Sequence, residues 1–205
     1  MNGVNRTLYI PLYGKACVSK KRMILLDPKA ETIWSAANFS LSGKAKSKWL
    51  AYYMGMRSAI FDRWLAAQMA ENPDAVVLHI GCGMDSRVCR VNHEGHLWYD
   101  IDFPDVMDQR KKHYPAMEGY SMIGSDARDT EYFQQIPKET AIVIMEGISM
   151  YLKRQELKQL LSDLYQYFDK VFLLMDCYTV FAAKVSKYKN PVNEVGVTML
   201  YGIDD

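Results

Sequence analysis

The stretch Ala75-Val-Val-Leu-His-Ile-Gly81-Cys-Gly83-Met-Asp85-Ser-Arg87 is an apolar run that stops abruptly at two glycines. It predicts a buried strand that turns through the glycines into a helix. Glycine has no Cβ, so the backbone of such a turn can lie close to a ligand. Twenty-one residues after Gly81, a second run ends at Asp102. An acid at the tip of the next parallel strand can accept hydrogen bonds from a ribose, which predicts a nucleoside-cofactor site in an open α/β sheet.

The spacing of the glycines separates two classes of cofactor. Dinucleotide-binding loops follow Gly-x-Gly-x-x-Gly, in which the third glycine lets the helix pack closely against the strand. Here the third position is Ser86. An NAD-linked oxidoreductase is therefore the less favoured alternative.

Composition limits the classes of partner. The chain has 205 residues, is 49% hydrophobic and carries a net charge of +1, which predicts one structural domain with one sizeable core. Near-neutral charge gives no support for nucleic-acid or membrane-surface binding, and no apolar stretch approaches the roughly 20 residues that span a bilayer. The N-terminus lacks the pattern of a signal peptide, and the four cysteines form no Cys-x-x-Cys pair. We therefore expect a cytoplasmic protein without disulfides.

A zinc site is the one metal alternative in the sequence. Its four candidate ligands are Cys82, Cys89, His93 and His96. A zinc finger has two to four residues between its cysteines and three to five between its histidines, whereas six and two separate them here. Cys82 is better explained as a small residue of the glycine loop, so we expect no metal.

Strand and helix patterns alternate along the chain. Strands are expected at 75–80, 97–101, 120–123, 141–145 and 171–175, and residues 195–200 offer at most one more. Helices are expected within 33–71 with a break at Gly43, around 86–91, from Pro104 to His113, and at 153–168. Within the first of these, apolar residues recur near a period of 3.6, namely Trp49, Leu50, Tyr53, Met56, Ile60, Trp64 and Leu65.

Polar residues stand at the carboxyl ends of four predicted strands: Gly81 and Gly83, Asp102, Asp126, and Glu146. Any one of these acids could be a helix cap or a solvated turn residue. Together they lie at the edge of a parallel sheet where ligands bind. Arg87 is expected to pair with Asp85 or Asp102 and order the loop.

Several segments resemble the leucine carboxyl methyltransferase family, which includes the tetracenomycin-type polyketide O-methyltransferases. They are Tyr52-Tyr53-Met-Gly-Met-Arg57, Leu78-His-Ile-Gly81-Cys-Gly83-Met-Asp85-Ser-Arg87, Tyr99-Asp-Ile-Asp102-Phe103-Pro104, Ser125-Asp126-Ala-Arg128-Asp129 and Glu146-Gly-Ile-Ser-Met-Tyr151-Leu152. The resemblance runs from about Tyr13 to Asp176. It implies an S-adenosylmethionine-dependent O-methyltransferase with the Rossmann-like class I fold, a mostly parallel α/β sheet with helices on both faces.

The resemblance also implies roles for single residues. Gly81, in the loop with Gly83, would contact the methionine end of the cofactor, and Asp102 would hold the ribose hydroxyls. Asp126, with the backbone of Ala127, would face the adenine.

Two basic residues, one acid and one aromatic complete the implied site. Arg57 and Lys15 match positions that engage the cofactor carboxylate and, in the leucine enzymes, help to place the substrate carboxylate. Glu146 matches an acid near the cofactor. Tyr151 is a candidate residue of the acceptor site.

The division of the chain follows from the same resemblance. Residues 1–72 are expected to form a helical cap that contributes to the cofactor and substrate sites, and residues 73–205 the Rossmann-like core. A class I sheet has seven strands in the order 3-2-1-4-5-7-6, whereas only five are predicted here, so the C-terminal strands are expected to be truncated. A homodimer or the tail would then cover the edge of strand five.

The expected function is methylation of a carboxylate or hydroxyl of a small molecule. A carboxylate is already ionised at neutral pH, so no catalytic base is assigned. A shortened, non-catalytic S-adenosylmethionine-binding protein is the second hypothesis.

Overall fold

A computed structural model of the protein describes residues 8–37, 41, 43–189 and 199–204. Its centre is a parallel sheet of five strands in the order β3-β2-β1-β4-β5. The strands are β1 (Val76–Ile80), β2 (Trp98–Asp102), β3 (Tyr120–Gly124), β4 (Thr140–Met145) and β5 (Lys170–Met175). This confirms the α/β sheet and the order expected for the first five class I strands. Each predicted strand is present, and no bound moves by more than one residue.

Helices cover both faces of the sheet, as expected. They are α1 (Tyr9–Lys20), α2 (Pro28–Ala36), α3 (Lys48–Glu71), α4 (Arg87–Arg90), α5 (Pro104–Arg110), α6 (Arg154–Tyr167) and α7 (Val180–Lys189). Short 3-10 turns occupy Gly43–Lys46, Thr130–Gln135 and Ser149–Tyr151. Most of the segment 195–200 considered as a further strand lies outside the described residues.

Two hydrophobic clusters fill the space between the sheet and its helices. On one face, Leu157, Leu160 and Leu164 of α6 pack into the cluster that holds Leu78 and Ile80 of β1. On the other face, helices α1, α2 and α3 pack over the alternate residues of the same strands, with Leu12, Ile33, Phe61, Leu65, Val77 and Ile142 in one cluster. Strands β1 and β4 are therefore covered on both sides, which explains why they read as continuous apolar runs.

The N-terminal helices differ from the sequence prediction in extent. Helix α1 was not predicted, and α2 begins at Pro28 rather than at Ile33. Asp27 caps α2 by accepting a hydrogen bond from the Ala30 N–H at 2.9 Å, and Pro28 has the fixed φ that suits a first helical position. A 3-10 turn from Gly43 precedes α3, which agrees with the predicted break.

Helix α3 packs closely against α1 at Gly55, and its buried residues include small ones outside the periodic set. A Cβ added to Gly55 would lie 2.8 Å from Val18 Cγ2, and Ser58 is fully buried. In contrast Trp49, Met56 and Ile60 of the periodic set are exposed. The period correctly predicted a helix, but close helix packing selected which face is buried.

No helix among the described residues is long and apolar enough to cross a membrane.

Candidate active site

The loop after β1 follows a path that favours glycine. Gly81 has φ +70° and Gly83 has φ +51°, both in the left-handed region. The Gly81 N–H donates to the Ile101 carbonyl at 2.8 Å, which joins the loop to the end of β2. A Cβ at Gly81 would lie 2.6 Å from Ile148 Cδ1, so the loop also packs tightly against the segment after β4.

Asp102, the last residue of β2, is bound to this loop. Its Oδ2 accepts from the Gly83 N–H at 2.7 Å, and its Oδ1 accepts from the Phe103 N–H at 2.8 Å. Burial raises the pKa of Asp102 above its ordinary value, although the two N–H groups act in the opposite direction. The glycine loop and the acid that the sequence paired are therefore in direct contact.

One cavity of about 590 Å³ lies at the carboxyl edge of the sheet. Its lining contains every residue that the sequence singled out for the site: Lys15, Arg57, Gly81, Gly83, Asp102, Asp126, Ala127, Glu146 and Tyr151. They come from α1, α3 and the ends of four strands, because a parallel sheet brings its strand ends to one edge. The volume is in the range of small-molecule sites.

Both predicted cations of this cavity are paired with acids. Lys15 Nζ lies 2.9 Å from Asp85 Oδ2. Arg57 Nε donates to Glu146 Oε1 at 3.0 Å, and its Nη1 donates to Asp176 Oδ2 at 2.9 Å. Asp85 and Asp176 were not predicted as site residues, although Asp176 follows β5 in the way that Asp102 ends β2. An acid at the end of an apolar strand is the pattern that predicted Asp102, and the same pattern would have predicted Asp176.

Arg87, which is fully buried, connects these ion pairs. Arg87 contacts Glu146, donates to Asp62 Oδ1 at 2.6 Å and lies 3.4 Å from Asp85. The expected pairing with Asp85 is present, and the principal partners are Asp62 and Glu146. Burial alone would raise the pKa of Glu146, but Arg57 and Arg87 outweigh burial and hold it below its ordinary value. Glu146 is thus a carboxylate at neutral pH.

His79 of β1 belongs to the same buried cluster. Its Nε2 lies 3.0 Å from Arg87 Nη1, and because a guanidinium only donates, Nε2 is the acceptor and Nδ1 carries the proton. Nδ1 lies 3.3 Å from Asp100 Oδ1. Burial lowers the pKa of His79, so this ring is neutral at pH 7.

At the opposite end of the cavity, Asp126 is bound by an arginine. Arg128 Nε donates to Asp126 Oδ1 at 2.9 Å, Nη2 donates to Oδ2, and Nη1 donates to Glu156 Oε1 at 3.2 Å. The hydrogen bond from Arg128 lowers the pKa of Asp126. The motif that contains Asp126 also contains Arg128, but the sequence predicts no role in the site for this arginine.

The outer part of the cavity is apolar and aromatic. Leu50, Met54, Ile148, Tyr151, Tyr178, Met199 and Leu200 line it. Burial, followed by the neighbouring Tyr178, raises the pKa of Tyr151 to about 12, so its phenol is protonated at neutral pH. This region can accommodate an apolar molecule and offers it a hydroxyl donor.

The four candidate zinc ligands have separate surroundings. Cys82 is buried in the glycine loop, Cys89 is exposed, and a ring nitrogen of His96 lies 2.8 Å from the Ala75 carbonyl. Within the described part of the chain, no group of three or more His, Cys, Asp or Glu side chains could hold a metal ion.

Comparison with known proteins identifies relatives of this chain. The family model for leucine carboxyl methyltransferase matches residues 13–165. The chain is 28% identical over 206 aligned residues to the tetracenomycin polyketide synthesis O-methyltransferase TcmP of Streptomyces glaucescens, covering 99% of this chain and 76% of that protein. It is 27% identical over 186 residues to the S-adenosyl-L-methionine-dependent methyltransferase dpfgK of Gibberella zeae, covering 82% of this chain but only 62% of dpfgK.

A solved structure shares the fold. The crystal structure of magnesium protoporphyrin IX methyltransferase (ChlM) from Synechocystis PCC 6803 with bound SAH superposes with a TM-score of 0.52. The match covers 87% of this chain and 78% of that one at 12% identity. At this identity the likeness establishes the architecture of the sheet and its helices.

Proposed function

This chain belongs to the leucine carboxyl methyltransferase family and is a methyltransferase, and we propose that it uses S-adenosylmethionine to methylate a carboxylate or hydroxyl oxygen of a small molecule. One observation carries the proposal: the glycine loop, the strand-end acids, the two cations and Tyr151 all line a single cavity. The chemical groups in that cavity match those of the cofactor along its length.

The nucleoside would lie along the ends of β2 and β3. Asp102 supplies a buried carboxylate for the ribose hydroxyls, beside the amide of Gly83. Asp126 and the backbone of Ala127 supply acceptor and donor groups for the adenine. Arg128 neutralises Asp126, so this end of the cavity suits a neutral ring rather than a cation.

The methionine end would lie over Gly81, among paired charges. Arg57 offers a planar fork to the cofactor carboxylate, and Lys15 adds a second cation. Glu146 and Asp85 are carboxylates that can accept from the cofactor ammonium. Cations and acids lie side by side in this part of the cavity, which suits a zwitterionic group.

The chemistry requires little acid–base assistance when the acceptor is a carboxylate. S-adenosylmethionine supplies an electrophilic methyl group on a sulfonium sulfur. The apolar outer wall excludes water from the acceptor, and the Tyr151 hydroxyl can donate to an acceptor oxygen and orient it. Alignment of this kind is worth roughly 7–11 kcal/mol when the geometry is good.

The proposal extends to the role of the N-terminal residues, to a partner and to the cellular compartment. Residues 1–72 would act as a cap, because α1 and α3 carry Lys15, Leu50, Met54 and Arg57 into the cavity. A homodimer would cover the half-buried edge strand β5. All four cysteines are free, which supports a reducing, cytoplasmic compartment.

Calorimetric titration with S-adenosylhomocysteine, the demethylated product, tests the cofactor site. We expect micromolar binding by the wild-type protein, no binding of NAD under the same conditions, and at least about tenfold weaker binding by Asp102→Asn, because a hydrogen bond to a charged group contributes about 1.5–3 kcal/mol. Folded protein that binds neither ligand would disprove the proposal.

Turnover is then tested by mass spectrometry, with S-adenosylmethionine and a panel of aromatic acids and phenols. A methyl ester or ether formed by the wild type, and reduced for Tyr151→Phe, would support the assignment of the acceptor site. Binding without any methylated product would favour the alternative of a non-catalytic binding protein.

A further inference from the structure

Arg110, the last residue of α5, lies fully buried beneath the glycine loop and has no part in the site described above. Its Nη1 donates to the carbonyls of both Gly83 and Asp85 at 2.8 Å. Four residues later, the Tyr114 hydroxyl donates to the Met84 carbonyl at 3.1 Å. Three successive carbonyls of the loop are therefore held by two side chains from one short segment.

Arg110 is itself held by the sheet. Its Nη2 pairs with Asp100 of β2, and Asp100 Oδ2 also accepts from the Tyr120 hydroxyl at 2.6 Å. Trp98 Nε1 donates to Asp100 Oδ1 at 2.9 Å. The guanidinium carbon lies 4.2 Å from the centroid of the Tyr114 ring, which stacks the two loop-binding side chains on each other. The guanidinium group is therefore anchored to residues of β2 and β3.

The charge of this pair does not change near neutral pH. Burial alone would raise the pKa of Asp100, but Arg110, with the hydrogen bond to His79, outweighs burial and brings the pKa to about 2. Arg110 has a pKa above its already high ordinary value. The carbonyls of the loop therefore face a permanent cation.

These bonds determine where the loop presents its amides. Arg110 and Tyr114 do not line the cavity, so residues 83–85 direct their carbonyls to the side away from it. The Gly83 N–H is then available to Asp102 Oδ2 at 2.7 Å. The Gly83 N–H belongs to the peptide immediately before the three whose carbonyls Arg110 and Tyr114 hold, so the Asp102 carboxylate is bound directly next to the fixed part of the loop.

We propose that Arg110, assisted by Tyr114, is a positioning residue of the cofactor site, which holds residues 83–85 so that Gly83 orients the Asp102 carboxylate toward the ribose. This rests on the proposed function. A planar guanidinium can bridge two carbonyls and a carboxylate, whereas an ammonium cannot reproduce that fork. Among the described residues, Arg110 Nε is buried without a hydrogen-bond partner. The fork is thus arranged to reach the loop carbonyls rather than to satisfy every donor.

A double-mutant cycle on the affinity for S-adenosylhomocysteine tests the inference. Tyr114→Phe and Arg110→Lys are each made alone and together with Asp102→Asn, and all are titrated by calorimetry. We expect each to weaken binding about tenfold in the wild-type background and less than about threefold when Asp102 is already Asn, because coupled residues are not additive. Additive losses in both cycles would overturn the inference.

A matched control separates positioning from general stability. Tyr167 also donates its hydroxyl to a backbone carbonyl, that of Ile136 at 2.9 Å, but lies outside the cavity lining. Tyr167→Phe removes the same kind of bond and should leave the affinity unchanged. Equal affinities for Tyr114→Phe and Tyr167→Phe would contradict a positioning role, and Tyr114→Phe decides the matter where Arg110→Lys does not fold.

Hydrogen exchange gives a readout that needs no cofactor. In the free protein, Tyr114→Phe should speed exchange of the Gly83 amide at least tenfold over wild type, with no change in the strand amides of β4. An unchanged rate at Gly83 would overturn the inference even if the affinity falls. Failure of the wild type to bind S-adenosylhomocysteine would instead disprove the proposed function, and this inference with it.

Discussion

Asp102 shows how burial and hydrogen bonding compete at one residue. Its two oxygens accept backbone N–H groups from Gly83 and Phe103, which favour the charged form. Burial disfavours that form more strongly, so the pKa is above that of an ordinary aspartate. A carboxylate held in this way gains further stabilisation from any hydroxyl donor that enters the cavity.

The raised pKa makes binding depend on pH with a defined sign. Ribose hydroxyls favour ionised Asp102, so the affinity is present above its pKa and is lost as the pH falls through that pKa. Because the pKa lies above the ordinary value of about 3.9, the loss begins at a higher pH than for an exposed aspartate. Calorimetry with S-adenosylhomocysteine, repeated as the pH is lowered from neutral toward the pKa of Asp102, should show progressively weaker binding.

The Asp102→Asn variant is the control for this pH dependence. It cannot titrate at residue 102, so its weaker affinity should stay nearly constant over the same range. Asp126 has a lowered pKa, so it stays ionised through the pH range in which Asp102 titrates and does not mimic the effect. A parallel decline in both proteins would assign the pH dependence to another group.

At the scale of elements, the contact between α1 and α3 brings the two cations of the cavity together. A Cβ on Gly14 would lie 2.7 Å from Met54 Cβ, and one on Gly55 would lie 2.8 Å from Val18 Cγ2. The absence of side chains at these two positions lets the helix backbones approach. Lys15 follows Gly14 in α1, and Arg57 lies two residues after Gly55 in α3. Both side chains reach the same cavity as a result.

Gly55→Val should separate the two helices. Overpacking a close contact costs about 1–3 kcal/mol, whereas the helix propensity of valine over glycine would by itself be favourable. We expect a lower free energy of unfolding in urea and weaker binding of S-adenosylhomocysteine, because Lys15 moves with α1. Ala66→Val, on the exposed side of the same helix, should change both by little. Unaltered stability of Gly55→Val would show that the interface tolerates the larger residue.

At the scale of the whole molecule, a buried ionic cluster links the start of α2 and helix α3 to the sheet. Arg87 contacts Asp62 of α3 and Glu146 after β4, and lies beside His79 of β1. Arg90 adds bonds to Asp62, to Asp85 and to Asp27 at the start of α2. Buried ion pairs therefore connect segments that are distant in sequence.

Removing Arg87 should destabilise the whole fold. Arg87→Met leaves Asp62 and Glu146 as buried carboxylates short of a partner, and breaking a buried pair in this way costs about 3–5 kcal/mol. Lys111→Met removes an ion pair with Asp108 whose side chains are 61% and 71% exposed, and should cost less than about 0.5 kcal/mol. Urea unfolding of both variants checks the contrast, and similar stabilities would mean that the cluster adds no net stability.

Local patterns in the sequence were sufficient for the strands. Each of β1 to β5 is a short apolar run bounded by glycine, proline or an acid, and these signals act within a few residues. Helix α1 carries no comparable signal and was missed, because its residues are apolar on more than one side and mix with small residues. In the structure it packs against α3 through Gly14 and Val18.

The sequence by itself determined the parallel sheet, the glycine turn after its first strand and the placement of Asp102 at the same edge, since all three follow from short-range pattern and strand topology. Only the tertiary structure decided the partners of Arg57 and Arg110. Arg57 bonds Glu146 and Asp176, which are 89 and 119 residues away, and Arg110 bonds the carbonyls of the loop. Such contacts depend on distances in space after folding, and buried charges select partners by geometry that no local pattern records.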